Sequence, residues 1–148
     1  MWKSSTVNYL PPSLIVISVQ LSTKVRAVIK RASLMNSTLV KLLGFPSTLI
    51  HGDTLVLDRW LWLRRRLPST KNQEKLIDIG CGSGAYTIGA TLRGYQSLGL
   101  SWDETCQSLA KYRAKLCNAE NAKFSIQDVR KLEFREDLKD SVRCCHML

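Results

Sequence analysis

Lys75 to Ala90 reads KLIDIGCGSGAYTIGA, and this stretch decides how the chain folds. It begins with an apolar run typical of a buried strand and continues as a helical pattern after three glycines, Gly80, Gly82 and Gly84. Glycines at alternate positions are costly in a strand or a helix, because glycine loses more backbone freedom on folding than any other residue. They therefore indicate a sharp strand-to-helix turn that a ligand can approach closely.

In an α/β sheet such a turn lies at the carboxyl end of a strand, where ligands bind beside the N-terminus of the following helix. The simpler alternative is a tight turn without a ligand. A strand signal, a carboxylate, the glycine spacing and a helix signal all coincide here. Their coincidence favours a site for a nucleotide-like cofactor.

Two kinds of cofactor fit this turn. Gly80, Gly82 and Ala85 match the dinucleotide pattern G-x-G-x-x-G/A, and Asp103 stands near the place where that pattern expects an acidic residue. Asp78 argues against a dinucleotide, because a carboxylate two residues before the first glycine would repel a pyrophosphate and is costly to bury unpaired. The same carboxylate favours S-adenosylmethionine, a cofactor that carries a cationic amino group and no phosphate.

Residues 78–84, DIGCGSG, resemble the D/E-x-G-x-G-x-G motif of the class I S-adenosylmethionine-dependent methyltransferases. The resemblance covers about residues 76–138. It implies an α/β fold, a truncated Rossmann-like doubly wound sheet with helices before it, and the alternation of strands with helices predicts that this sheet is parallel with strand order 3-2-1. The residues that it implies for cofactor binding in the turn are Asp78, Gly80, Gly82 and Gly84.

The resemblance also implies a contact to the ribose at the end of a second strand, predicted over residues 95–100. The family usually carries an acidic residue there, whereas this chain has Ser101, whose hydroxyl can bond one ribose oxygen but lacks bidentate reach. Either the site is weaker or Asp103 substitutes, and the alternative role of Asp103 is to cap the next helix. Trp102 either stacks on the adenine or packs against the strand.

A third strand is predicted over residues 122–127, after a helix over 104–117. That helix is expected to cover the sheet, and its apolar side consists of Leu109, Tyr112 and Leu116. The resemblance implies that Asp128 accepts a hydrogen bond from the adenine amino group and that the backbone of Val129 reaches a ring nitrogen. The plain alternative for Asp128 is a turn aspartate after a strand.

Charge and cysteine content limit the partners and the compartment. The net charge is +10, but six basic residues and no acidic ones precede Asp53, which leaves 16 basic and 12 acidic residues in the rest of the chain. This small surplus argues against a nucleic-acid partner. The five cysteines include no C-x-x-C pair, which argues against a metal site or a disulfide framework and favours the reducing cytosol. Cys81 is interpreted as a packing thiol.

Residues 1–34 are predicted to be an N-terminal extension that is disordered or serves in targeting. Their apolar run of about ten residues is shorter than the ~20 needed to span a bilayer, so no integral membrane span is predicted. Residues 35–74 are predicted to form a helical prelude with a strong helix over 55–67. Trp60 and Trp62 of that helix either pack or stack on nucleic acid, and the helical spacing of the apolar residues favours packing.

Residues 75–148 are then predicted to be a methyltransferase domain cut off after its cofactor-binding half, because no strand of useful length follows Leu138. Such a chain would bind S-adenosylmethionine, lack the half that holds a small-molecule methyl acceptor, and be inactive alone. No catalytic residue is assigned, because methyl transfer depends mainly on positioning the acceptor. The alternative is a noncatalytic fragment or interaction module that keeps the scaffold without binding the cofactor.

Overall fold

The computed structural model describes residues 11–17, 20, 33–50 and 54–128, so most of the predicted extension lies outside it. The first three elements are α1 (Ser33–Leu43), α2 (Phe45–Ile50) and α3 (Thr54–Arg66). They are followed by β1 (Lys75–Ile79), α4 (Ala85–Thr91), β2 (Gln96–Ser101), α5 (Glu104–Leu116) and β3 (Lys123–Ile126). Residues 12–17 are also helical. None of the helices in the described ranges has both the length and the apolar character to cross a membrane.

The three strands form one parallel sheet in the order β1-β2-β3. Ile79 pairs with Leu100, and Ser101 pairs with Ile126. The predicted α/β class, the strand order 3-2-1 and the preceding helices are confirmed, and the arrangement is Rossmann-like. Because the carboxyl ends of parallel strands meet at one edge, the residues that follow the three strands lie side by side. The predicted end of the domain, residues 129–148, lies outside the described part.

Both faces of β1 are buried. Successive side chains of a strand point to opposite faces. Leu76 belongs to a cluster with Ala90 of α4, whereas Ile77 and Ile79 cluster with Leu100 on the other face. This two-sided burial explains why the strand appears in the sequence as an apolar run rather than as an alternating pattern.

Trp60 of α3 packs within the protein, and the half-buried Trp62 lies against an arginine of the same helix. Trp60 is only 6% exposed, and its ring meets that of Phe45 edge to face with centroids 5.2 Å apart. Gly89 of α4 makes this packing possible, because a Cβ at that position would collide with the Trp60 ring. The Arg66 guanidinium lies 3.8 Å from the centroid of the Trp62 ring. The prediction that Trp60 packs is therefore confirmed.

Backbone and side-chain hydrogen bonds tie the segment between α3 and β1 to residues 93–96, where the chain leaves α4 and enters β2. They run from Arg93 Nε to Leu67 O at 2.6 Å, from Tyr95 OH to Pro68 O at 3.0 Å, from Thr70 N to Arg93 O at 2.9 Å and from Gln96 N to Glu74 O at 2.9 Å. Gly94 has φ +96°, and a Cβ there would collide with the Thr70 carbonyl oxygen. The two segments are therefore in direct contact, and the boundary predicted between residues 74 and 75 stays a prediction.

The side of α5 that faces the sheet differs from the predicted one. Tyr112 is 41% exposed, and Leu109 and Leu116 are only partly buried. The residues buried along the helix are Gln107, Ala110, Arg113 and Ala114. The reason is close approach, since a Cβ built on Gly84 would lie 2.8 Å from Ala110 Cβ and leaves no room for a large side chain.

Candidate functional site

The glycine turn, residues 80–84, joins β1 to α4 at the carboxyl edge of the sheet. The backbone N–H groups of Gly80 and Cys81 both donate to the carbonyl oxygen of Leu100, at 2.9 Å each, and so bind the turn to β2. The φ angles are +76° at Gly80, +51° at Gly82 and +81° at Gly84. This left-handed region is one that residues with a Cβ rarely adopt, so the backbone path explains all three glycines.

The glycine turn has a packed side and an open side. A Cβ on Gly84 would lie 2.8 Å from both Ala110 Cβ and Phe124 Cε1. A Cβ on Gly82 would meet no atom within 4 Å. Gly84 is therefore required for packing against α5 and β3, whereas Gly82 leaves the backbone open to an incoming molecule.

Asp78 lies beneath the glycine turn and is fully buried. Its Oδ2 accepts a hydrogen bond of 2.7 Å from the Thr87 hydroxyl, while its Oδ1 has no hydrogen-bond partner among the described residues. Burial raises the pKa of Asp78 from its ordinary 3.8 to about 7, and hydrogen bonds from Thr87 act in the opposite direction. A buried carboxyl group that ionises near neutral pH thus stands just before the turn, and one of its oxygens receives no hydrogen bond from the described residues.

Cys81 and Gln107 complete the polar groups beneath the turn. The Gln107 amide donates to the Cys81 sulfur at 3.4 Å, and Gln107 Oε1 has no partner within the described part. Burial and then the neighbouring Asp78 carboxylate raise the pKa of the Cys81 thiol to about 12. The thiol is therefore neutral at physiological pH, which agrees with its interpretation as a packing group and not as a nucleophile.

The end of β2 brings Ser101, Trp102 and Asp103 beside the turn. Ser101 is buried, and its hydroxyl accepts a hydrogen bond of 3.3 Å from the Asp103 backbone N–H. Trp102 is 81% exposed, so it does not pack against the strand. Asp103 caps α5, with Oδ1 accepting from the Cys106 N–H at 3.0 Å, and hydrogen bonds to backbone N–H groups at the cap hold the pKa of its carboxyl below the usual value.

Asp128 is half-buried, two residues after the end of β3. The neighbouring Gln127 N–H donates to the Ser101 carbonyl oxygen at 3.0 Å, which fixes the chain there to the end of β2. Val129 lies outside the described residues. The structure therefore brings the glycine turn, Ser101 and Asp128 to one edge of the sheet, in the order in which they follow their strands.

Two residues of this region were missed by the sequence analysis, Thr87 and Gly99. Thr87 contributes the hydroxyl that bonds Asp78, and Gly99 is the residue paired with Asp78 in β2. A Cβ on Gly99 would lie 2.7 Å from Thr87 Oγ1 and 2.9 Å from Cys81 Sγ. A glycine inside an apolar strand is a signal for such close approach, whereas nothing in the sequence distinguishes Thr87 from an ordinary helix residue.

Residues 77–148 match a protein family described as a methyltransferase domain. No curated protein matches the chain. The following likenesses are to solved structures of proteins that are much longer than the aligned segment.

An S-adenosylmethionine-dependent methyltransferase from Agrobacterium tumefaciens is 19% identical, over 49% of this chain and 24% of that one, with a TM-score of 0.44. Coclaurine N-methyltransferase, bound to N-methylheliamine and SAH, is 18% identical over 53% of this chain and 23% of its own, with a TM-score of 0.44. Magnesium protoporphyrin IX methyltransferase from Synechocystis PCC 6803, with bound SAH, is 26% identical over 57% of this chain and 36% of its own, with a TM-score of 0.43. The aligned part of this chain thus spans little more than a third of these proteins at most.

Proposed function

Because residues 77–148 of this chain match the family described as a methyltransferase domain, we propose that the protein binds S-adenosylmethionine at the glycine turn. The observation that carries the proposal is the pairing of an open backbone at Gly82 with a buried carboxyl group, Asp78, whose charge acts on the neighbouring Cys81 of the turn. When bound, this cofactor supplies a methyl group on a cationic sulfonium. The protein's own residues bind and orient it.

The charge of the cofactor fits the electrostatics of the turn. Asp78 Oδ1 has no hydrogen-bond donor among the described residues, and the side chain is fully buried, so bulk water does not solvate its charge. When Asp78 is ionised, its negative charge attracts a cation on the open side of the turn and repels a pyrophosphate. The attraction is electrostatic and acts across the intervening backbone without direct contact, because the Asp78 side chain does not reach the surface. This favours S-adenosylmethionine over a dinucleotide.

The remaining cofactor-binding residues are proposed along the same edge of the sheet. Ser101 would bond one ribose hydroxyl, and the exposed ring of Trp102 would stack on the adenine. Asp128 would accept from the adenine amino group, with the Val129 backbone beside it. The Asp103 side chain is occupied as the cap of α5, so Ser101 is the better candidate for the ribose.

The methyl acceptor is proposed to be a small molecule, in the reducing environment of the cytosol. Cys81, Cys106 and Cys117 are free thiols, as expected there. No described residue is assigned to the acceptor or to catalysis. The predicted lack of the acceptor-binding half stays a prediction.

A second candidate function is a noncatalytic module that keeps the scaffold without binding the cofactor. One observation favours it. Ser101 stands where an acidic residue is expected, its hydroxyl lacks the bidentate reach of a carboxylate, and one of its lone pairs accepts from the Asp103 N–H. A weak or absent ribose contact would follow.

Calorimetric titration of the folded chain separates these functions. S-adenosylmethionine and S-adenosylhomocysteine should bind, whereas a nicotinamide dinucleotide should give no heat. Gly82→Ala should weaken binding at least tenfold, because it places a Cβ on the open side of the turn.

Gly44→Ala is the matched control, since Gly44 also has a left-handed φ, +65°, and open space around its Cβ position, but lies between α1 and α2. Both variants should lose similar stability, and only Gly82→Ala should lose affinity. A folded wild-type protein that takes up neither adenosyl ligand would leave the noncatalytic module as the better account.

A further inference from the structure

The hydrogen bond between Thr87 and Asp78 is built into the packing of three elements. Both side chains are fully buried, and the Thr87 hydroxyl donates to Asp78 Oδ2 at 2.7 Å. Thr87 lies in the first turn of α4, directly above the pair formed by Asp78 and Gly99 in the sheet. Because a Cβ on Gly99 would approach Thr87 Oγ1 to 2.7 Å, the hydroxyl occupies space that only a glycine in β2 leaves free.

Few other groups act on the Asp78 carboxylate. In the glycine turn, the neighbouring Cys81 thiol is neutral because its pKa is raised to about 12. On α5, Cys106 acts on Cys81, and the buried Arg113 acts on Cys106 rather than on Asp78. The residues of β2 carry no titratable side chain.

On α4, the titratable Tyr86 stacks on the ring of Trp60 at a centroid distance of 6.4 Å and so faces away from Asp78. Burial and the Thr87 hydrogen bonds are therefore the main opposing influences on the ionisation of Asp78. Burial favours the neutral acid, and the hydrogen bonds favour the carboxylate.

We propose that Thr87 is a positioning residue whose hydroxyl holds Asp78 as a carboxylate, and that it thereby sets the pH above which the glycine turn attracts a cationic cofactor. This inference rests on the proposed function for its ligand, but not for the ionisation of Asp78. Above the pH at which Asp78 ionises, the glycine turn lies next to a full negative charge. Below it, Asp78 is neutral and the attraction is lost.

The ionisation is measured by NMR titration of the Asp78 side-chain carboxyl carbon between pH 3 and 10.5. In the wild type the midpoint should lie near 7, as burial dictates. Thr87→Val keeps the shape of the side chain and deletes the donor, so the midpoint should rise by about one to two pH units, the range expected for a hydrogen bond to a charged group. Thr87→Ser, which keeps the hydroxyl, should leave the midpoint within a few tenths of a unit.

The effect on ligand binding is measured by calorimetric titration with S-adenosylmethionine over pH 5.5 to 9.5. Affinity for the wild type should rise with pH through the Asp78 midpoint, and in Thr87→Val the rise should move to higher pH by the same interval. The amino group of the ligand titrates in the same way whichever variant it binds. The difference between variants therefore reports the contribution of the protein to the pH dependence of binding. Thr87→Ala deletes the same donor and serves where the valine variant does not fold.

Equal Asp78 midpoints in the wild type and in a folded hydroxyl-deleted variant would overturn the inference, as would a wild-type midpoint near the ordinary value of 3.8. Absence of binding at every pH refutes the proposed function and the ligand part together. The NMR midpoints then still decide whether Thr87 controls the ionisation of Asp78.

Discussion

Replacement of Gly84 by alanine should destabilise the protein in two ways that the structure separates. The backbone at Gly84 is left-handed, with φ +81°, and an alanine there costs about 1–2 kcal/mol. The added Cβ would also lie 2.8 Å from Ala110 Cβ and from Phe124 Cε1, an overpacking that costs about 1–3 kcal/mol. We therefore expect the free energy of unfolding to fall by roughly 2–5 kcal/mol.

Urea unfolding with linear extrapolation to water measures this loss. Gly44→Ala provides the reference, because Gly44 shares the left-handed backbone but has no atom within 4 Å of the Cβ position. It should lose only the backbone part, about 1–2 kcal/mol. The difference between the two variants is then the contribution of the packed side of the glycine turn.

A double-mutant cycle tests the origin of that difference. Ala110→Gly removes one of the two atoms that the new Cβ would meet and by itself costs about 1 kcal/mol, because glycine is a poor helix former. The combination with Gly84→Ala should lose at least 0.5 kcal/mol less than the sum of the single losses, a coupling that separated sites do not show. Strict additivity, or equal losses in Gly84→Ala and Gly44→Ala, would show that the reasoning about close packing is wrong.

The remaining predictions concern three other positions. Gly89→Ala should cost several kcal/mol in urea unfolding and shift the fluorescence of Trp60, because its Cβ would collide with that ring; unchanged fluorescence would contradict the packing. Asp103→Ala should lower stability and Asp103→Asn should largely preserve it, because asparagine can still cap α5; equal losses would argue against the cap. Since Asp78 has a pKa of about 7 when folded and 3.8 ordinarily, the folded state retains a proton that the unfolded chain releases. Stability should therefore fall as the pH rises from about 4 to 7, by on the order of 4 kcal/mol, and Asp78→Asn should flatten that slope in unfolding midpoints; an unchanged slope would assign it to other groups.

The sequence was sufficient for the features that depend on local chemistry. Glycine spacing predicted the turn, because residues with a Cβ rarely adopt the left-handed angles found at 80, 82 and 84. Apolar runs and helical spacing predicted the three strands and their parallel order. The cap formed by Asp103 was foreseen as one of its two possible roles, since aspartate before a helical pattern is a common capping signal.

The features that depend on distance between elements could not be predicted. The apolar spacing of α5 favoured Leu109, Tyr112 and Leu116 as the packed side. The glycine turn comes so close, however, that the side of the helix with the small residue Ala110 faces inward instead. Helical spacing identifies an apolar stripe, and it does not say how near the neighbouring backbone comes. The bond between Thr87 and Asp78 was missed for the same reason, because it joins a helix to a strand nine residues earlier.

The hydrogen bonds that fasten residues 67–74 to the turn after α4 bear on how this segment tolerates change in length. Its polar composition is that of a surface loop, where insertions usually cost little. Here, however, the backbone carbonyls of Leu67, Pro68 and Glu74 each accept from a specific donor. An epitope tag or a protease cleavage site inserted in this segment would separate these carbonyls from their donors and loosen the attachment of α3. Engineered additions therefore belong elsewhere in the chain.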